Sequence, residues 1–185
     1  LELGGKSPNI VFADADLEKF ARESPYSVFD NAGQDCCARS RILVERSAHE
    51  RVVELFVEAT RKVKVGDPAD DATEVGTLVS SKQRDRVKDY IEIGLGEGAT
   101  IVVGGTEPDD PALADGAYLL PTVFDGVSND MRIAREEIFG PVVSIIPFDS
   151  EAEAIRLANE TPYGLSGSVW SRDIGRALRT AKGIQ

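Results

Sequence analysis

Two adjacent cysteines carry the most reactive side chains of this sequence. Cys36 and Cys37 stand in "DNAGQDCCARSRILV", residues 30–44, and they are the two cysteines of the chain. A thiol can pack in a core, bind a metal, form a disulfide or act as a nucleophile. Cys36 follows a polar junction whose free backbone N–H groups favour a thiolate, although Asp35 opposes one. The local residues leave nucleophile and packing equally open for Cys36, and they favour packing for Cys37.

The sequence disfavours both a metal site and a disulfide at these cysteines. The single histidine, His49, lies in the first turn of a predicted surface helix, where we expect it to be solvated. Adjacent thiols with one distant histidine lack the spacing of a zinc site, so no metal is predicted. Neighbouring cysteines bridge badly, because the ring that they close is strained. Free thiols are typical of a reducing compartment, and a cytoplasmic protein is therefore predicted.

A carboxylate stands beside two glycines near the start of the chain. Glu2 belongs to "LELGGKSPN" and precedes Cys36 by 36 − 2 = 34 residues. Gly4 and Gly5 lack side chains, so that a cofactor and the backbone can approach each other closely there. A glutamate next to such a turn is a candidate general base. Without further information, a solvated surface glutamate is the ordinary interpretation.

Composition restricts the class of protein. The chain has 185 residues, which is typical of one domain, and its 42% apolar residues are enough for a sizeable core. The net charge of −11 argues against a nucleic-acid or anionic membrane surface. No apolar run approaches the roughly 18 residues that span a bilayer. The first residues do not resemble a signal peptide, and the abrupt start and end indicate a piece of a longer protein.

The reactive residues require an α/β fold to position them. Strands are predicted at 9–12, 41–45 and 142–147, and amphipathic helices at 48–65 and 80–95. This alternation predicts an α/β fold with a mainly parallel, twisted sheet flanked by helices. The cysteines then lie at a helix-to-strand junction.

Two further burial patterns are predicted in the middle of the chain. The segment "TIVVGG" is typical of a short buried strand followed by a turn. The apolar stripe of the 80–95 helix is expected to comprise Val87, Ile91 and Leu95.

Six segments resemble the catalytic half of the NAD(P)-dependent aldehyde dehydrogenase superfamily. They occur in order and at coherent distances: "LELGGKSPNIVFADADLE", "DNAGQDCCARSRILV", "GDP", "YLLPTVF", "EEIFGPVV" and "ANETPYGLSGSVW". The resemblance covers essentially all 185 residues, and it rests on the colinear combination more than on any one motif. It implies that residues 1–185 form a single catalytic domain, with an upstream dinucleotide-binding domain and a C-terminal oligomerisation segment outside this sequence.

The resemblance also implies roles for individual residues. Cys36 matches the family's nucleophile, and Glu2 matches its general base. In "EEIFGPV", Glu137 matches the carboxylate that binds a ribose of NAD or NADP, and Phe139 matches the ring that packs near this ribose. The backbone around Leu3 is expected to face the nicotinamide. No metal ligand is implied.

The implied activity is oxidation of a small aldehyde to a carboxylic acid through a cysteine thiohemiacetal and thioester. The full-length protein is expected to be a homo-oligomer without nucleic-acid or membrane partners, and the isolated fragment is expected to be inactive. A coenzyme A-acylating relative is an alternative, which Glu2 disfavours because such enzymes typically dispense with the base. A non-catalytic binding or scaffold relative is the other alternative.

Overall fold

The computed structural model describes residues 3–185, and its centre is a six-stranded sheet. The strand order is β3-β4-β5-β2-β1-β6, and every pairing is parallel except that of β3 with β4. The strands are β1 (Pro8–Val11), β2 (Arg41–Glu45), β3 (Thr100–Val103), β4 (Thr122–Asp125), β5 (Val142–Phe148) and β6 (Ser168–Trp170). The predicted α/β class with a mainly parallel sheet is confirmed.

Helices connect the strands. They are α1 (Leu17–Glu23), α2 (Tyr26–Phe29), α3 (His49–Thr60), α4 (Ser81–Gly96), α5 (Arg132–Arg135), α6 (Glu151–Asn159) and α7 (Ile174–Gly183). Four of them begin at a side-chain cap that accepts a backbone N–H of the first turn: Asp16, Ser80, Ser150 and Asp173. Such caps supply partners for N–H groups that a helix start leaves free. No helix within residues 3–185 is long and apolar enough to cross a membrane.

Three adjacent strands bring the predicted site segments together. Each segment ends a few residues before its strand begins: residues 3–5 before β1, residues 35–37 before β2, and residues 137–139 before β5. The strand order places β5, β2 and β1 side by side, and all three are parallel. Because parallel strands start at the same edge of a sheet, the three segments converge there.

A buried arginine joins this edge to the helical layer. Arg41 opens β2 and is fully buried, and its guanidinium donates to the carbonyls of Lys6, Leu157 and Ala158 and to Oδ1 of Asn129, at 2.9–3.1 Å. Burial lowers the pKa of Arg41 to about 10. A charged residue that opens a strand gives no sequence cue of such burial.

Two predicted burial patterns are wrong. Strand β3 is an edge strand, and its residues are exposed or half-buried, since one side of it has no neighbouring strand. Leu95 is 42% exposed, whereas Val87 and Ile91 are buried as predicted. In the last turn of α4 the buried position is Gly94, which packs on Phe124 and Ile133, so Leu95 lies beside the buried stripe.

Candidate active site

The segment before Cys36 is a strained turn. Asn31, Ala32 and Gly33 have φ angles of 52°, 55° and 70°, in the left-handed region. Asparagine and glycine adopt this region readily, whereas alanine is uncommon there. Gly33 packs on the next loop, since a Cβ at this position would lie 2.2 Å from the carbonyl oxygen of Gly140. Strained backbone of this kind persists where the surrounding structure fixes it, often at functional sites.

Cys36 is partly exposed in a turn that the Asp35 carboxylate stabilises. The carboxylate accepts the backbone N–H of Cys37 at 2.9 Å, and the carbonyl of Asp35 accepts the N–H of Ala38 at 3.1 Å. The sulfur atoms of Cys36 and Cys37 are 4.0 Å apart. Partial desolvation, the Cys37 thiol and the Asp35 charge raise the pKa of Cys36. The expected opposition of Asp35 to a thiolate is confirmed, and in this conformation the neighbours of Cys36 favour the thiol.

Gly5 joins the amino-terminal segment to both other segments. A Cβ at Gly5 would lie 1.9 Å from the carbonyl oxygen of Cys36, so the two backbones are in contact. The N–H of Gly5 donates to Oε1 of Glu137 at 2.8 Å. The second carboxylate oxygen of Glu137 faces Gly4, where a Cβ would approach it to 2.9 Å. The nucleophile candidate and the ribose-binding candidate thus flank one glycine pair.

The loop that carries Glu137 is fixed from α4. Phe139 is half-buried, and its φ of 59° is an outlier for a bulky residue. Its carbonyl and that of Ile138 accept the side-chain amide of Gln83, at 2.8 and 3.2 Å. The guanidinium of Arg86 donates to the carbonyl of Glu137 at 3.2 Å. Helix α4 therefore holds three consecutive carbonyls of this loop.

The residues just before α4 also hold the loop that leads to Cys36. The side-chain amide of Gln34 donates to the carbonyl of Asn31 at 3.0 Å, and its oxygen accepts the N–H of Val79 at 2.9 Å. Val79 lies just before the Ser80 cap of α4. One short stretch of chain thus sets the distance between the two loops.

Lys6 is a buried cation beside the site. Its side chain is 2% exposed, and burial together with Arg41 lowers the pKa of Lys6 to about 7. Glu137 and Glu136 act in the opposite direction. Lys6 and Glu137 line a cavity of about 10 Å³, which is about the size of one water molecule.

Four of the five predicted site residues lie within the part of the chain that the structure describes. Cys36, Glu137 and Phe139 lie in neighbouring loops, and Leu3 is 59% exposed next to Gly4. Glu2 lies outside the described residues. A larger cavity of about 510 Å³ lies between β6 and α7, and no predicted site residue lines it.

His49 is not the solvated surface residue that the sequence suggests. Its Nε2 lies 2.8 Å from Oδ1 of Asp125, and its side chain is 23% exposed. The pair joins the start of α3 to the end of β4. The local sequence around a histidine in a first helical turn does not show whether the end of a strand lies opposite it.

Sequence reasoning missed Lys6, Gln34 and Gln83. Lys6 lies between the glycine pair and Ser7, two residues before a buried strand, and a charged side chain in such a place gives no local cue of burial. Gln34 and Gln83 are polar residues of a loop and a first helical turn, where solvated side chains are the rule. Only the tertiary contacts show what these two amides hold.

A family model described as "Aldehyde dehydrogenase family" matches residues 1–185. Among curated proteins, the chain is 48% identical over 181 residues to a betaine aldehyde dehydrogenase of Bacillus subtilis (strain 168), covering 98% of this chain and 37% of that protein. It is 45% identical over 190 residues to a 5-carboxymethyl-2-hydroxymuconate semialdehyde dehydrogenase of Escherichia coli, covering 100% and 40%. The chain thus spans less than half the length of these relatives.

Solved structures share the fold closely. A betaine aldehyde dehydrogenase from Staphylococcus aureus in complex with NAD+ superposes with a TM-score of 0.97 at 44% identity, over 100% of this chain and 36% of that one. An indole-3-acetaldehyde dehydrogenase complexed with NAD+ gives 0.94 at 48% identity, over 98% and 36%.

Proposed function

Because the chain belongs to the aldehyde dehydrogenase family, we propose that the intact protein oxidises an aldehyde to a carboxylic acid with NAD+ or NADP+. One observation carries the proposal: Gly5 contacts the backbone of Cys36 and donates to the carboxylate of Glu137. A nucleophile and a ribose acceptor are thereby held on either side of a backbone that lacks side chains.

The residues of this cleft fit the ribose of a dinucleotide. Oε1 of Glu137 is held by Gly5, and Oε2 faces the space that a Cβ on Gly4 would fill. A fixed carboxylate accepts vicinal hydroxyls well. The half-buried ring of Phe139 offers an apolar surface beside it. When bound, the dinucleotide supplies the acceptor for a hydride.

Cys36 performs the covalent step of the proposed mechanism. Its sulfur attacks the aldehyde carbon and forms a thiohemiacetal, whose oxyanion is stabilised by the backbone N–H of Cys36. Loss of a hydride from the former aldehyde carbon leaves a thioester on Cys36. Water then attacks this thioester, the carboxylic acid departs and the thiol is restored.

A general base is needed twice, and Glu2 is the proposed one. The raised pKa of Cys36 means that the sulfur must lose a proton before it attacks. The hydrolytic water must lose one as well. Three Cα–Cα steps join Glu2 to Gly5, a reach of at most about 11 Å. Since Gly5 contacts Cys36, chain connectivity is compatible with both tasks.

Replacement of the two thiols tests the mechanism. Cys36→Ala in the intact protein should abolish aldehyde oxidation, because no other group forms the covalent intermediate. Cys37→Ala should retain turnover, since it keeps the nucleophile. Aldehyde-dependent NADH or NADPH formation measures both, and normal turnover by Cys36→Ala sinks the proposal.

The coenzyme A-acylating alternative calls for a separate experiment. Glu2→Gln should slow hydrolysis and leave a thioester on Cys36, detectable by mass spectrometry of the denatured protein. Product analysis with and without coenzyme A then separates the reactions. A free acid formed equally in both conditions supports hydrolysis, whereas an acyl-coenzyme A product supports the alternative. Absence of any turnover favours the non-catalytic alternative.

Domain organisation, assembly and location complete the proposal. We propose that residues 1–185 are one catalytic domain, that other segments of the protein supply the rest of the dinucleotide site, and that the protein is a homo-oligomer. A cytoplasmic location is proposed because both cysteines are free thiols.

A further inference from the structure

Three potential metal ligands lie together in the nucleophile loop. The carboxylate of Asp35 and the thiols of Cys36 and Cys37 offer ligand atoms that all lie within 4.8 Å of one another. Asp35 is exposed and both cysteines are partly exposed, so that an ion from solvent can reach them. The spacing argument against a metal considered the cysteines and His49 alone. The conformation of the loop brings the carboxylate of the preceding residue, Asp35, close enough to be a third ligand.

The sulfur geometry suits a tetrahedral thiophilic cation. Zinc binds thiolates at about 2.3 Å, and a tetrahedral angle then separates two sulfur ligands by about 3.8 Å. The observed separation of the Cys36 and Cys37 sulfur atoms is 4.0 Å. The Cys37 N–H holds Oδ1 of Asp35 at 2.9 Å, which keeps the carboxylate next to the thiols. Three protein ligands leave a fourth position for water, as in exchangeable rather than closed structural sites.

We propose that Asp35, Cys36 and Cys37 bind Zn²⁺ or a similar thiophilic divalent cation reversibly, and that the bound cation blocks Cys36. Binding forms two metal–sulfur bonds and releases the two thiol protons to solvent, with no change in oxidation state. The inhibitory consequence rests on the proposed function, because it requires Cys36 to be the nucleophile. The binding itself does not.

Cobalt binding tests the site without reference to activity. The intact protein, reduced and metal-free, is titrated with Co²⁺ under anaerobic conditions, and the thiolate-to-cobalt charge-transfer absorption is recorded. One equivalent of Co²⁺ should produce the absorption band, and added Zn²⁺ should abolish the band by displacing Co²⁺. Loss of a residue that only supports a metal ligand typically weakens metal binding by about 10–100-fold. Cys37→Ser removes a ligand itself, so it should weaken Co²⁺ binding by more than this factor. Asp35→Asn should also weaken the binding of Co²⁺.

His49→Gln is the matched control. His49 and Asp125 form a nitrogen–oxygen pair at 2.8 Å that includes none of the three proposed ligands. The variant should keep the charge-transfer band and its midpoint. No band in the wild type, or an unchanged band in Cys37→Ser, overturns the proposal.

Inhibition is measured on the same proteins. Zn²⁺ should inhibit aldehyde oxidation by the wild type and by His49→Gln, and a chelator should restore it. Relative to its own metal-free rate, Cys37→Ser should need at least about tenfold more Zn²⁺. Binding without inhibition overturns the blocking of Cys36. A metal-free wild type without turnover contradicts the proposed function instead, and the cobalt titration still decides the site.

Discussion

At position 6, a lysine side chain is buried between an arginine and two glutamates. Desolvation dominates, and it lowers the pKa of Lys6 from 10.5 to about 7. The unfolded chain therefore binds more protons than the folded one between these two values. In this window stability falls as the pH is lowered, because the folded protein must then bury a charged ammonium.

Replacement of Lys6 by methionine should remove this pH dependence. Compared with Lys6→Met, the wild type should gain stability as the pH rises from about 7 toward 10.5, by at most about 1.4 kcal/mol per pH unit. The measurement is the unfolding midpoint of both proteins from about pH 6 to about pH 10. Lys82→Met, which removes an exposed lysine at the start of α4, is the control. A constant difference between wild type and Lys6→Met across this range contradicts the prediction.

The cysteine pair shows how one residue changes the chemistry of its neighbour. The Cys37 thiol is among the groups that raise the pKa of Cys36, and it also gives the loop a second soft ligand. As the proposed nucleophile, Cys36 would therefore depend on a base for activation, and the pair offers the two thiols of the proposed metal site. The sequence favoured a packing role for Cys37. The side chain remains partly exposed, so packing alone does not describe it.

At the scale of elements, the site depends on one backbone contact between two loops. Gly5 touches the Cys36 carbonyl so closely that any side chain at this position displaces one of the two segments. The end of a flexible side chain could move away from such a contact, whereas displacing a backbone carbonyl in a short turn costs more free energy.

Gly5→Ala should therefore separate Cys36, the proposed nucleophile, from the loop of Glu137, the proposed ribose ligand. We expect kcat/KM of the intact protein to fall by about 100-fold or more, since displacements near 1 Å suffice for such losses. Gly96→Ala is the matched control, because a Cβ at this position in α4 meets nothing within 4 Å. Steady-state kinetics on folded protein, verified by circular dichroism, provides the comparison. Equal kcat/KM values for the two variants would show that catalysis does not depend on the contact of Gly5 with Cys36.

Helix α4 is the second element on which the site depends. Just before this helix, the N–H of Val79 donates to Gln34. In its first turn, Gln83 donates to the carbonyls of Ile138 and Phe139. The left-handed conformation of Phe139 costs about 1–3 kcal/mol, and the amide of Gln83 helps to maintain it. The helix and the residues that precede it therefore set the distance between the loops of Cys36 and Glu137, the proposed nucleophile and the proposed ribose ligand.

At the scale of the whole molecule, Arg41 joins the sheet to the helical layer. Its four hydrogen bonds reach Lys6, Asn129 and the carboxyl-terminal part of α6, which are distant from one another in sequence. Lysine cannot reproduce this planar, forked set of donors. Arg41→Lys would leave buried carbonyls without partners.

We expect Arg41→Lys to destabilise the protein by roughly 3 kcal/mol or more, given about 1–3 kcal/mol for each buried group left without a partner. Arg61→Lys, an exposed arginine at the end of α3, should change stability by less than about 0.5 kcal/mol. Denaturant unfolding of the three proteins measures the difference. Similar midpoints for Arg41→Lys and wild type would show that the hydrogen bonds of Arg41 are replaceable.

The amino-acid sequence by itself determined the element types, because helix caps and apolar periodicity are local. Asp16 and Ser80 cap their helices, and 41–45 is a strand as predicted. The resemblance also identified Cys36 and Glu137 as candidates, although neither has a local environment that distinguishes it. The burial of Lys6 and of Arg41 was not predicted, since both are charged residues next to strands.

Tertiary structure alone decided that residues 3–5, 35–37 and 137–139 meet. The segments lie about 30 and 100 residues apart, and they converge because β1, β2 and β5 are parallel neighbours with a common starting edge. Strand order results from the packing of every helix and strand against the others, and no local pattern encodes it. The contact of Gly5 with Cys36 and the hydrogen bond of Gly5 with Glu137 both follow from this order.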